Sequence, residues 1–187
     1  MVNPISSWHE EHEKFAQLLG LLEREVDAFH QAEQPNYELM SDIVFYLRHF
    51  ADCVHHPRED VAFARLVLRE PKLALVIKRL LQEHRVISIA GDELLKYLDE
   101  ATGDVMVPRA ALEAAAATYL VYYRNHLNVE EREIMPYAAQ LLTDEDWAAV
   151  AGTVRSTADP LFGKDVDERF RELRRQIDRE AIVTLEG

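Results

Sequence analysis

Only one cysteine, Cys53, stands among 187 residues. No intrachain disulfide can form, and thiolate-rich zinc sites, which need several cysteines, are excluded. The lone thiol reads as a small buried side chain and fits a reducing, cytoplasmic setting. Cationic residues are in deficit, 21 Lys and Arg against 34 Asp and Glu, for a formal charge of −13. A surface of that sign repels nucleic-acid phosphates and anionic membranes, so neither is an expected partner. Long apolar runs are missing too. The most apolar tract, Ala110 to Tyr123, contains Glu113 and stops at Arg124, which is too short and too interrupted for a membrane span. Met1 to Ser7 has no basic n-region, so no signal peptide is expected.

No stretch alternates as a strand does. Helical period runs through nearly the whole chain, which predicts an all-α fold. A first helix is expected from Ser7, whose spacing to Glu10 resembles a capping box, with Trp8, Phe15, Leu18, Leu22 and Phe29 on its apolar stripe. A loop at 31–36 separates it from a second helix, Tyr37 to Leu68, in which Pro57 should produce a kink. Pro71 opens a third helix and Pro108 a fourth, which runs to Leu142. Thr143 caps a shorter helix to Ser156, and a last amphipathic helix covers 166–182. Four long helices with short links predict an up-down-up-down four-helix bundle over residues 1–142, with two additional C-terminal helices over residues 143–187 packed on it. The oligomer expected is a monomer or homodimer.

The chemistry is concentrated in a repeated spacing. His55 to Glu59 and His126 to Glu130 both read His-x-x-x-Glu, which sets two side chains on one helical face about 5–6 Å apart at Cβ. Helices one and three carry Glu11-His12 and Glu83-His84 beside their apolar stripes. One such pair alone is usually a surface contact. Four helices each presenting imidazole, or imidazole with carboxylate, to a common core describe a metal site. His12, His55, Glu59, His84, His126 and Glu130 are the candidate ligands. Helix two allows a second register, His56 with Asp60. His55 with Glu59 is preferred because Phe63 and Leu66 then match Ile134 and Tyr137 after His126, and His56 is kept as an extra ligand or a supporting donor. Imidazole with carboxylate suits iron, manganese or zinc. His9 is expected at the rim and His49 in the core. Tyr46, Tyr119, Tyr122 and Tyr123 are expected as core aromatics with bonded hydroxyls, and Glu131 to Glu133 as a solvated face.

At these residues the chain resembles the hemerythrin-like family, also called the HHE cation-binding domain, in a bacterial-type form. The resemblance covers Ser7 to Leu142 and rests on Glu11-His12-Glu13-Lys14-Phe15, on Phe50 through His55-His56-Pro57-Arg58-Glu59-Asp60, on Glu83-His84, and on His126 through Glu130-Glu131-Arg132-Glu133-Ile134-Met135-Pro136. It implies a bundle holding two non-haem iron ions, with zinc as a substitute, and a small partner such as dioxygen, peroxide or nitric oxide. It also implies either reaction with that oxidant or a role as an iron-dependent regulatory module without turnover. Oxygen-carrying members of the family place a His pair at i, i+4 on the third helix. Here His84 has Leu80 at −4 and Ser88 at +4, which implies one imidazole fewer.

Overall fold

The computed structural model describes residues 4–31, 33–103, 105–155 and 157–186, with the side chains of residue 30 and residues 180–186 outside that description. Every regular element among the described residues is helical, and none is long and apolar enough to cross a membrane. Helix α1 spans Pro4–His30. It starts ahead of Ser7 because a proline fits the first turn, where its missing N–H removes no intrahelical bond. Ser7 therefore lies inside the helix and does not cap it. Asn36 caps α2 (Tyr37–Tyr46), its side chain accepting from the Leu39 N–H at 3.0 Å.

The predicted kink at Pro57 takes the form of a π segment. After α2 the chain widens over Leu47–His55 and then continues as α3 (His56–Arg69). Helix α4 (Ala74–Thr102) follows a short 3₁₀ turn, Pro71–Leu73. The fourth long helix repeats the device: α5 (Arg109–Val129), a π segment (Glu130–Ile134) and α6 (Met135–Leu141). The cause is the same in both places. His56 N–H bonds Ala51 O, and Met135 N–H bonds Glu130 O, each an i to i+5 bond. The next residue is Pro57 in one case and Pro136 in the other, which has no N–H to continue the ladder and whose ring pushes aside the preceding turn.

Helix α7 (Asp144–Ala151) opens on a reciprocal capping box between Thr143 and Asp146. It stops before the expected Ser156, which lies outside the described residues, because Gly152 already closes it with a bond to Ala148 O. Helix α8 (Arg171–Glu186) follows a 3₁₀ turn at Glu168–Phe170.

Helix α1 packs on α2 and α5, and α4 packs on the same two. Their buried apolar residues form two separate clusters. One is built around Phe15, Leu19, Ile43, Leu94 and Tyr119, and takes in Leu161, Phe170, Leu173 and Ile177 from the C-terminal segment. The other is built around Trp8, Phe63, Leu66, Ile77 and Ile134, with Val150 of α7. Between them each long helix carries buried polar residues: His12 lies between Trp8 and Phe15, and His84 between Leu80 and Ile87. A polar layer thus divides the core in two.

Candidate metal centre

That layer contains His12 from α1, His55 at the end of the first π segment, His56 and Glu59 from α3, His84 from α4, His126 from α5, and Glu130 at the start of the second π segment. All seven are buried; His55 and His126 expose 0% of their surface, Glu59 and Glu130 1%. The two carboxylates occupy the middle. His55 Nε2 lies 3.1 Å from Glu59 Oε1, and His126 Nε2 lies 3.0 Å from Glu130 Oε1. His12 Nε2 is 3.4 Å from Glu59 and 3.7 Å from Glu130; His84 Nε2 is 3.5 Å from Glu59 and 3.6 Å from Glu130. Each carboxylate therefore meets histidines from both sides of the layer. Two groups have ligand atoms within 4.8 Å of one another: His12, His55 and Glu59, and His56, Glu59, His84 and His126. These groups are placed to bind metal ions.

The two possible registers of the second helix are not exclusive. His55, His56 and Glu59 all face inward, with His56 stacked on His84 at 4.2 Å between ring centroids and 12° between planes. Asp60 stays outside, half-exposed, and accepts from His84 Nδ1 at 2.9 Å. Helix α4 carries a single inward His, as expected, and His56 brings a fifth imidazole into the layer from α3.

Each outward nitrogen has an acid. His12 Nδ1 donates to Glu131 (2.8 Å), His55 Nδ1 to Glu11 (2.5 Å), His126 Nδ1 to Glu83 (3.2 Å), and His56 Nδ1 lies 3.0 Å from Asp52. This fixes the tautomer and turns the Nε2 lone pair of each ring inward. Arginines hold the acids in turn. Arg58 pairs with Glu11 and Arg48 with Asp52, while Arg48 reaches Asp92 across Gly91, where a side chain on the helix would meet it. Sequence reading missed Glu11, Glu83 and Glu131 as supports, although Glu11 and Glu83 precede ligand-candidate histidines and Glu131 follows Glu130. Glu131 is half-buried between His12 and the rim residue His9, so it does not belong to the solvated face that Glu133 does share.

Other expectations need correcting. Cys53 is exposed. His49 is exposed as well, stacked on Phe45 and bonded to its carbonyl, because the π segment turns both residues away from the core. Tyr46 donates to Asp159 as expected, but Tyr119 and Tyr123 bury hydroxyls with no partner among the described residues, and Tyr122 is 43% exposed.

The inward atoms repel one another unless something positive stands between them. His12 Nε2 and His55 Nε2 are 2.9 Å apart. With both Nδ1 atoms donating outward, both Nε2 atoms hold lone pairs. His56, His84 and His126 Nε2 and all four oxygens of Glu59 and Glu130 lack a hydrogen-bond partner among the described residues. So many orphaned buried polar atoms at one place cost more than a fold tolerates without compensation. Protons can partly supply it. Burial opposes charge on His12, but the carboxylates of Glu131 and Glu59 beside it push it up to about 10. Burial likewise opposes charge on His84 and His126, yet Asp60, Glu130 and Glu59 push His84 up to about 12, and Glu130 with Glu83 pushes His126 up to about 9. Burial and the repulsion from Glu59 resist ionisation of Glu130, but His126 and His84 hold it down to about 2. His56 differs: burial takes it down to about 4 despite Asp52, so it stays neutral with a free lone pair.

The donors are imidazole nitrogen and carboxylate oxygen, with no thiolate, a set that fits iron, manganese or zinc. A family model described as the hemerythrin HHE cation binding domain matches residues 3–138. No curated protein matches the chain.

Proposed function

The chain belongs to the hemerythrin HHE cation-binding family, and on that premise we propose that the buried layer holds two non-haem iron ions and binds or reacts with a small oxidant such as dioxygen, peroxide or nitric oxide. The proposed scaffold is an up-down-up-down bundle over residues 1–142, with residues 143–187 as a helical extension packed on it. The observation that carries the reading is the set of orphaned atoms. Three imidazole nitrogens and four carboxylate oxygens are buried together without a hydrogen-bond partner among the described residues, and two cations would satisfy them all.

In this reading His12 and His55 would hold one ion, His56, His84 and His126 would hold the other, and Glu59 and Glu130 would serve both. The first position has one donor fewer and so has more room for a small ligand. Bound iron would supply electrons or a coordination position to the oxidant. The protein supplies the surroundings. Phe15 packs edge-on to His55 at 5.1 Å, Trp8 lies 6.0 Å from the same ring, and Tyr123 lies 6.0 Å from His56. Those apolar rings exclude water and keep the dielectric low. The outer acids hold each imidazole in one tautomer and orientation. Zinc fits the same donors and would bind without redox chemistry.

Protein reconstituted with ferrous iron without oxygen, then exposed to oxygen, is expected to gain near-ultraviolet and visible ligand-to-metal absorption. Stoichiometric iron with no spectral change would leave a binding or regulatory role in place of oxidant chemistry. That second reading is favoured by one feature. The charges of Glu59 and Glu130 are buried among the helices they join, so occupancy of the layer sets stability. Equal melting temperatures with and without metal would remove it.

A further inference from the structure

A second cleft lies along the first π segment, on the face not used by the buried Leu47, Ala51 and His55. Its wider part, about 590 Å³, is walled by Phe45, Tyr46 and Phe50 of the helix and by Phe170, with Cys53 on its lining. A narrower part of about 430 Å³ shares Phe50, Val54, Val154, Arg155 and Thr157 with it, so the two are continuous. This size is ordinary for a small-molecule site.

The two parts differ in charge. The wide part is aromatic. The narrow part brings in Lys14 and Arg58, with Arg155 at the junction. Arg58 is taken up by Glu11. Lys14 lies over the Phe162 ring at 5.3 Å, and neither it nor Arg155 has an ion pair among the described residues. The acids beside them are mostly engaged. Glu11 accepts from His55 and Arg58, Asp159 accepts from Tyr46 and from the backbone N–H groups of Leu161 and Phe162, and Asp167 accepts from the backbone N–H of Arg169, while Glu10 is exposed at the rim. In a chain with a formal charge of −13, two cations with no ion pair among the described residues beside one aromatic cleft require an explanation.

The geometry points to a binding site for a planar aromatic carboxylate, its ring beside Phe50 and Phe170 and its carboxylate at Arg155 and Lys14, while Phe45 is itself covered by His49 and the Arg169 guanidinium. Aromatic faces accept a flat ring by offset stacking. A guanidinium presents two parallel donors to a carboxylate. The site needs no metal, so it stands or falls separately from the buried layer.

The probe is 2-naphthoate, titrated into the intact protein by calorimetry. One saturable site is expected. Arg155→Gln should weaken it about tenfold, the loss of one charge-assisted contact, and the neutral analogue 2-naphthylmethanol should bind the unaltered protein about tenfold more weakly. Cys53→Trp places bulk in the cleft from an exposed position and should abolish binding while the far-ultraviolet circular dichroism is unchanged. Absence of saturable binding up to about 1 mM, or binding that Arg155→Gln leaves unaltered, would overturn the assignment.

Discussion

The two halves of the buried layer are wired alike and differ at one residue. In the first half His12 leans on Glu131 and His55 on Glu11; in the second His84 leans on Asp60 and His126 on Glu83. Exchanging α1 with α4, and the second ligand helix with the fourth, converts one set of contacts into the other. Even the π segments and the prolines that cause them correspond. The break is His56. The residue after His55 is an imidazole facing the layer; the residue after His126 is Leu127, buried in the apolar cluster beside Tyr123. Near-symmetry explains how two ions could share two carboxylates. The single departure explains why the two positions would not be equivalent: one has two imidazoles, the other three.

Substitutions can separate what the halves share from what each owns. Glu59 touches both, so Glu59→Ala is expected to have the largest effect. It should remove both metal ions and destabilise the protein by about 3–5 kcal/mol, because it strips a counter-charge from a buried network. Elemental analysis and thermal melting check it, and retention of one full equivalent would show that the carboxylate is not shared. His56→Ala should affect only the three-imidazole half, giving a titration with one tight and one weakened step. The weakened step should lose more than the roughly 10–100-fold that an outer acid is worth. Two equally weakened steps would mean that the halves are not separate.

Smaller changes are expected from the outer acids. Glu11→Gln and Glu83→Gln should each lower affinity by about 10–100-fold at one position only, the first through His55 and the second through His126. Competition with a chelator reads both.

The mildest perturbation is pH, applied to metal-free protein. The values of His12, His84 and His126 lie above the ordinary 6.5, at about 10, 12 and 9, so their stabilisation is complete below 6.5 and is lost as pH rises through 9 and beyond. Glu130 and Glu59 lie below the ordinary 4.5, so their contribution is present above 4.5 and is lost as pH falls toward 2. His56 lies below 6.5, at about 4, so its cost to the fold sets in as pH falls below 6.5 and is complete near 4. The melting temperature should therefore be highest near pH 6.5 and fall by several degrees on the alkaline side. Bound metal replaces the protons and should flatten that alkaline fall; identical profiles with and without metal would count against proton-filled gaps.

Much of this arrangement was legible in the chain because helical spacing alone puts His55 with Glu59 and His126 with Glu130 on common faces. The helices themselves followed from apolar period, and the loop and cap at Asn36 and Thr143 from side-chain chemistry. What escaped depends on contacts between helices. Glu11 adjoins His12 but serves His55, and Glu83 adjoins His84 but serves His126, so neighbours in sequence mislead about partners in space. His55 and His56 looked like rival registers because a regular helix was assumed. The widened turn before Pro57 precedes a stretch in which both face inward. Cys53 and His49 were misplaced in the core for the same reason, since the π segment rotates them toward solvent.

The central claim is that two cations belong between the two carboxylates. Elemental analysis of protein reconstituted with ferrous iron under argon, desalted and still folded, tests it directly. The account predicts two iron ions per chain, falling to near zero in Glu59→Ala. One ion per chain, or none, in the folded unaltered protein would contradict it.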